Sequence, residues 1–239
     1  MTTDAVLVSW QSTTPLTADE IAAAVAVLSD EERARYDAMR SADGARDYAA
    51  AHALLRQLLS HGNLTSPRDW RFDKTTTGKP FLIGRSRPLP SFSLSHTRGC
   101  VGCAVAPDIV GIDVEHADRE VNIARVAERF FSAEEARALE RLDSRARRER
   151  FFDVWTLKEA LIKAIGGELS SSVRAHVFRI DETSASRRIE LAAPTALDPA
   201  RWQFELFTPV PGYRAAIAAR REPGRPRPVT IVNAADFVP

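Results

Sequence analysis

The sequence lacks the features that would assign it to a membrane, secreted or strongly charged class. No apolar run in its 239 residues approaches the roughly 18 residues of a membrane span, and the first ten, MTTDAVLVSW, have an acidic residue where a secretory signal is positively charged. The 33 basic and 32 acidic residues leave a net charge of +1, which attracts neither nucleic acid nor membranes. We therefore expect a cytoplasmic protein that binds neither.

Cysteine is nearly absent, and the two present, Cys100 and Cys103, form a Cys-x-x-Cys pair typical of redox or zinc sites. The surrounding GCVGCAVA is instead typical of a strand, in which residues three apart point to opposite faces. No second pair completes a zinc site. We predict two buried structural thiols.

Lysine is also scarce. Of the 33 basic residues only four are lysines, namely Lys74, Lys79, Lys158 and Lys163. Each one indicates a position where a compact ammonium is preferred to a planar guanidinium.

Hydrophobic periodicity predicts helices followed by strands, twice along the chain. In the first block, Thr17 with Glu20 and Ser29 with Glu32 form capping boxes that begin two helices, and a third helix extends to Gly62. Three strands should follow, SFSLS, CVGCAVA and VGIDVE, with the last two joined by a tight hairpin at PDI.

The second block repeats this order. Ser132 and Glu135 form another capping box, and RRERFFDVWTLKEALIKAIGG is typical of a long helix closed by two glycines. Strands are predicted near residues 176–180, 188–191, 202–208 and 213–219, with a short last strand after REPGRPRP. The sequence therefore predicts an α+β fold of two similar α+β halves, residues 1–110 and 111–239.

The stretch GIDVE, Gly111–Glu115, places two carboxylates in a run otherwise typical of a buried strand. Because side chains alternate along a strand, Asp113 and Glu115 should share one face, opposite Ile112 and Val114. Neighbouring carboxylates repel each other, and Mg²⁺ is commonly held by one or two such groups. The alternative is an ordinary solvated strand face.

A second motif, WTLKEALIK, places Glu159 and Lys163 one helical turn apart, with Phe152 and Trp155 beside them and the leucines facing the core. The alternative is an i,i+4 ion pair contributing about 0.2–0.5 kcal/mol. Combined with GIDVE, the motif provides three carboxylates and one ammonium, a set that suits phosphoryl-type chemistry.

Two further stretches offer groups that bind phosphate. TGKP presents Lys79 between a glycine and a proline, and SLSHT presents Ser95 and His96 at the end of a strand. A surface turn and a capped strand end are the respective alternatives.

In their order and spacing, GKP, FSLSH, GIDVE, RFFSAEE and WTLKEALIKAIGG resemble the motifs of 4′-phosphopantetheinyl transferases of the surfactin-synthetase-activating type. The resemblance extends from about Leu28 to Ala219. It implies a pseudo-twofold monomer that binds coenzyme A in the cleft between its halves. It also implies transfer of phosphopantetheine to a serine of an apo acyl or peptidyl carrier protein, with release of adenosine 3′,5′-bisphosphate.

The resemblance also implies roles for individual residues. Asp113, Glu115 and Glu159 would hold Mg²⁺, or alternatively Mn²⁺; Glu159 would act as the base and Lys163 would stabilise the reacting phosphorus. The implied coenzyme A contacts are Arg46, Lys79, Pro80, Ser95, His96 and Lys163. The sequence departs from the family pattern at Glu32, where some relatives have a basic residue.

Two other functions compete with this interpretation. A Mg²⁺-dependent nuclease or phosphodiesterase also combines carboxylates with a lysine, but usually on one strand at i,i+2 rather than on a helix at i,i+4. The near-neutral charge also disfavours a groove for a phosphate backbone. The arginine-rich RARRER, Arg145–Arg150, is the candidate for a nucleic-acid arm, although its acidic neighbours favour a solvated helix face.

Overall fold

Two β-sheets with helices and two small hairpins make up the computed structural model. It describes residues 4–62, 64–84, 88–167, 173–182, 187–192 and 196–237. The predicted α+β class is confirmed.

The first sheet is built mainly from the N-terminal part of the chain. Its strands are β1 (Val6–Ser12), β4 (Ser91–Thr97), β5 (Cys100–Ala106) and β11 (Val229–Ile231), in the order β11-β1-β5-β4. Helices α1 (Ala18–Ala26), α2 (Asp30–Asp37) and α3 (Ala42–Ser60) precede β4, as does a hairpin of β2 (Arg71–Lys74) and β3 (Pro80–Ile83). Both predicted capping boxes are present at α1 and α2. The hairpin was not predicted.

The second sheet contains β6 (Val110–His116), β9 (Trp202–Phe207) and β10 (Tyr213–Arg220), in the order β6-β10-β9. Helices α4 (Ile123–Phe130), α5 (Ala133–Glu140) and α6 (Ser144–Ile165) follow β6, and a hairpin of β7 (Val177–Asp181) and β8 (Arg188–Ala192) follows α6. β11 returns from the far end of the chain to pair in parallel with β1.

The predicted hairpin between β5 and β6 is wrong. β5 pairs with β1 on one edge and β4 on the other, so neither edge remains free for the next strand. β6 instead pairs with β10 in the second sheet. The turn at PDI therefore connects two sheets rather than two hydrogen-bonded neighbours.

The two cysteines are buried and unpaired, as predicted. Cys100 and Cys103 are both 0% exposed on β5. Burial raises the pKa of the Cys100 thiol to about 12 and that of Cys103 still further, which makes both thiols unreactive at neutral pH.

Helix α6 begins three residues earlier than its sequence pattern indicates. The Asp143 side chain accepts hydrogen bonds from the backbone N–H groups of Arg145 and Ala146 at 3.0 Å, which caps the first turn. Gly166, with φ of 71°, ends the helix as predicted.

Lys158, one of the four lysines, is buried and connects α6 to its neighbours. Its Nζ contacts Glu135 Oε2 at 3.0 Å and donates to the Val173 carbonyl at 3.0 Å. The other Glu135 oxygen accepts from the Phe178 N–H at 2.9 Å. Glu135 thus joins α5, α6 and β7, in addition to its predicted capping box.

Helix α6 crosses the second sheet in very close contact with β6. A Cβ at Gly111 would overlap the Ala160 carbonyl oxygen and lie 2.6 Å from the Ala164 nitrogen. Ala216 and Ala218 of β10 are also fully buried against the helix. Small residues on both surfaces therefore set the distance between α6 and the strand that contains GIDVE.

No helix among the described residues is long and apolar enough to cross a membrane.

Replacing Gly111 with alanine should test this close packing. Because the new methyl group meets helix backbone, which cannot move aside as a side chain can, we expect Gly111→Ala to destabilise the protein by about 3 kcal/mol or more. Gly44→Ala is the matched control, since Gly44 lies in α3 with its nearest contact at 3.5 Å. That change should stabilise by about 0.5–1 kcal/mol. Urea denaturation measures both, and an unchanged stability of Gly111→Ala would contradict the close contact.

Candidate active site

The face of β6 that carries the two carboxylates is turned toward α6. Asp113 lies opposite Ala216 in the antiparallel pair with β10, and directly opposed residues project from the same side of a sheet. Because Ala216 packs against α6, Asp113 faces the helix too. Ile112 and Val114 are buried on the other side, next to β5. The predicted alternation is confirmed.

The structure brings the two sequence motifs together in one cavity. Asp113 and Glu115 of β6 and Glu159 and Lys163 of α6 all line a cavity of about 350 Å³. Asp113 is only 4% exposed, which excludes a simple solvated strand face.

Lys163 forms an ion pair with Asp113 rather than with its helical neighbour Glu159. Its Nζ lies 2.6 Å from Asp113 Oδ1 and 2.8 Å from Ser95 Oγ. No ion pair between Glu159 and Lys163 occurs among the described residues. The simple i,i+4 ion pair considered for this motif is therefore not formed.

Glu115 is held by two donors beside the cavity. Trp155 Nε1 donates to its Oε1 at 2.9 Å, and Arg119 Nε donates to its Oε2 at 3.2 Å. Burial and the nearby Asp113 carboxylate raise the pKa of Glu115, whereas Arg119 lowers it.

Phe152, which was expected beside the site, is instead fully buried in the core.

Glu159 has the most perturbed carboxylate of the group. Burial raises its pKa to about 7, with a further rise from Asp113 and Glu115 and an opposing contribution from Lys163. No hydrogen bond or ion pair holds its carboxylate within the described part of the chain. Glu159 can therefore exchange a proton near neutral pH.

The donor chemistry of this cluster fits a divalent metal ion such as Mg²⁺. Asp113 Oδ2 is buried and has no hydrogen-bond partner among the described residues, and the lining of the cavity provides three carboxylates and one ammonium. In those same residues, no three acidic, histidine or cysteine side chains are already clustered closely enough to hold an ion. The Lys163 ammonium neutralises Asp113 in this arrangement.

Two further cavities share lining residues with this one, and the three together are called the cleft below. A cavity of about 390 Å³ shares Leu94, Glu159 and Lys163 with the first and is also lined by Lys79 and Pro80. A cavity of about 500 Å³ shares Pro80 and Leu94 with the second and extends between α2, α3 and β2. The cleft thus runs from the carboxylates on β6 to the basic side chains Arg35 and Arg71.

The predicted nucleotide contacts divide into three groups by position. Lys79, whose Nζ donates to the Ala164 carbonyl at the end of α6, lines the cleft together with Pro80 and His96. Ser95 lines the smallest cavity but is buried. Arg46 lines none of the three, because Asp43 and Asp47 hold its guanidinium, at 2.9 and 3.5 Å.

Sequence reasoning missed the charged network at the far end of the cleft. The Glu32 carboxylate contacts Arg56 at 2.8 Å and His52 at 2.9 Å. Although burial opposes it, the His52 hydrogen bond and the neighbouring positive charges lower the pKa of Glu32 to about 2. The residues come from separate helices, and the sequence showed only the capping box of Glu32 and its departure from the family pattern.

The arginine-rich start of α6 binds the protein's own backbone rather than forming a solvated face. Arg147 donates to the Leu139 carbonyl at 3.1 Å and Arg148 donates to the Ala117 carbonyl at 2.6 Å. Arg145 alone is largely exposed, and it pairs with Glu149. These bonds give Arg147 and Arg148 structural roles beside the β6–α4 connection.

A family model supports the assignment of the motifs. The model described as the 4′-phosphopantetheinyl transferase superfamily matches residues 109–218. That range contains β6 and α6, and therefore all four charged residues of the candidate site.

Individual relatives extend the similarity over more of the chain. The 4′-phosphopantetheinyl transferase HetI of Nostoc is 33% identical over 143 residues, which cover 59% of this chain and 60% of HetI. Sfp of Bacillus subtilis, also a 4′-phosphopantetheinyl transferase, is 26% identical over 219 residues, 92% of this chain and 93% of Sfp. The chain thus spans about three fifths of HetI, and 61% of a Synechocystis relative that is 31% identical.

The raised pKa of Glu159 predicts a pH-dependent cost to stability. Its folded-state value of about 7 exceeds the ordinary 4.5, so the folded protein holds a proton that the unfolded chain releases between those values. Wild type should therefore lose stability relative to Glu159→Gln as the pH rises from 4.5 to about 7, with no further change above.

Denaturation with urea in the presence of EDTA measures this difference across the pH range. Glu134→Gln is the control, because Glu134 is exposed and its pKa is lowered by Arg179. Parallel stability profiles for wild type and Glu159→Gln would contradict the raised pKa.

Proposed function

We propose that this chain is a member of the 4′-phosphopantetheinyl transferase superfamily and that it transfers the 4′-phosphopantetheine group of coenzyme A to a serine of an apo acyl or peptidyl carrier protein. Adenosine 3′,5′-bisphosphate is the second product. The observation that carries this proposal is the convergence of Asp113, Glu115, Glu159 and Lys163 on one cavity. A diphosphate substrate needs this combination of metal-binding oxygens and an ammonium.

Coenzyme A is assigned to the cleft made up of these three cavities. The cleft extends across three neighbouring cavities. This length suits an extended nucleotide with a flexible arm. Lys79 and Lys163 line it with positive charge, and Pro80 and His96 provide further contact surface. Burial lowers the pKa of Lys79, which is the expected state of an ammonium that lacks an anionic partner.

Mg²⁺, or Mn²⁺ in its place, is assigned to Asp113, Glu115 and Glu159. The unpartnered Asp113 Oδ2 and the raised pKa values of both glutamates support this donor set. When bound, the ion would supply charge neutralisation for the diphosphate of coenzyme A.

Glu159 is assigned as the group that accepts the proton of the carrier serine, directly or through water. The serine oxygen forms a bond to the β-phosphorus as the bond from that phosphorus to the bridging oxygen breaks. Lys163 neutralises the charge that develops on the phosphoryl oxygens and leaving group. A pKa of about 7 suits Glu159 for proton transfer at neutral pH.

The chain is further proposed to act as a cytoplasmic monomer. Both walls of the cleft come from one chain, so no second copy is required to complete the site. The unpaired Cys100 and Cys103 suit a reducing compartment. The competing nuclease interpretation finds no support among the relatives described above, all of which are named as phosphopantetheinyl transferases.

Incubation with coenzyme A, Mg²⁺ and a panel of apo acyl and peptidyl carrier domains tests the function. We expect mass spectrometry to show the addition of one phosphopantetheine group to at least one carrier. Asp113→Asn and Glu159→Gln, which preserve side-chain shape, should each slow transfer by at least about 100-fold because they remove negative charge from the metal site.

Glu134→Gln serves as the control and should transfer at the wild-type rate, since Glu134 lies on the surface of α5. Unaltered rates in both Asp113→Asn and Glu159→Gln would reject the metal site. No transfer by wild type to any carrier in the panel would reject the function.

A further inference from the structure

The Ser95 hydroxyl group lies buried between β4 and β6, where it makes three hydrogen bonds within the protein. It donates to Asp113 Oδ1 at 2.9 Å. It accepts from the Val114 backbone N–H at 3.2 Å and from Lys163 Nζ at 2.8 Å. A serine hydroxyl has one donor and two acceptor positions. All three positions of Ser95 are therefore used, and none remains for a nucleotide.

The two oxygens of the Asp113 carboxylate have different surroundings as a result. Oδ1 accepts from both Ser95 and Lys163, whereas the buried Oδ2 has no partner among the described residues. A buried acceptor without a partner is costly, so its persistence indicates that the oxygen serves a group outside the chain. The hydrogen bond from Ser95, together with the Lys163 ion pair, fixes which of the two oxygens is left free.

We propose that Ser95 is a positioning residue that holds Asp113 by Oδ1 and thereby presents Oδ2 to the divalent cation. This inference rests on the proposed function. It differs from the role that the family resemblance implies for Ser95, which is direct contact with coenzyme A. The two roles predict opposite effects on metal affinity and on coenzyme A affinity.

Ser93, two residues earlier on β4, provides a matched control. The Ser93 hydroxyl accepts from the Ile112 N–H at 3.1 Å. In the same way, the Ser95 hydroxyl accepts from the Val114 N–H, two residues further along β6. Both serines are buried, at 7% and 4% exposure. Ser93→Ala and Ser95→Ala each remove one bridge between β4 and β6, but only Ser95→Ala also removes a hydrogen bond to the Asp113 carboxylate.

Titration of the free protein with Mn²⁺, followed by the loss of the electron paramagnetic resonance signal of the free ion, measures metal affinity. We expect Ser95→Ala to bind Mn²⁺ about 10- to 100-fold more weakly than Ser93→Ala, the usual effect of removing a hydrogen bond that orients a metal ligand. Coenzyme A affinity, measured by calorimetry in EDTA, should be the same in Ser95→Ala as in wild type. Thermal melting verifies that both variants are folded at the temperature of the titration.

Equal Mn²⁺ affinities in the two variants would overturn the proposal, as would the absence of Mn²⁺ binding to wild type. A coenzyme A affinity in EDTA that is weaker for Ser95→Ala than for wild type would also overturn it, because it would show that Ser95 contacts coenzyme A directly. The carrier assay on wild type tests the function separately. If wild type modifies no carrier but Ser95→Ala still binds Mn²⁺ more weakly than Ser93→Ala, the transferase reaction is refuted and the role of Ser95 is retained.

Discussion

The close contact between Gly111 of β6 and helix α6 is the constraint on which the site depends. A side chain at this position would overlap the helix backbone at Ala160 and Ala164. Because strand side chains alternate, the next two residues on the same face are Asp113 and Glu115. The helix places Glu159 and Lys163 next to its two alanines, so one glycine brings all four charged groups to the same cavity.

The same contact concentrates negative charge where little water can screen it. Burial and mutual repulsion raise the pKa values of Glu115 and Glu159, while Lys163 is the ammonium within the cavity and is bonded to Asp113. One positive charge against three carboxylates is an incomplete balance. A dication would balance the two excess negative charges, and the ion together with Lys163 could then attract the diphosphate of a bound coenzyme A. The cluster is thus suited to binding substrate and metal together.

Local patterns predicted much of this site, and long-range pairing explains what they missed. Alternation in GIDVE and helical spacing in WTLKEALIK each depend on neighbours in sequence, and both were confirmed. The expected hairpin after β5 failed because β1 and β4 already occupy both of its edges. The three bonds of Ser95 link β4, β6 and α6, which no local pattern reveals. Arg148 likewise bonds a carbonyl 31 residues away.

The central proposal is that a strand and a distant helix share one metal ion at the β6–α6 contact. A crystal structure of the protein with coenzyme A and Mn²⁺, with anomalous scattering used to locate the ion, tests it most directly. The account predicts a single strong peak in the cavity, ligated by Asp113 Oδ2 and by oxygens of Glu115 and Glu159. An ion bound elsewhere, or one that Glu159 does not ligate, would contradict it.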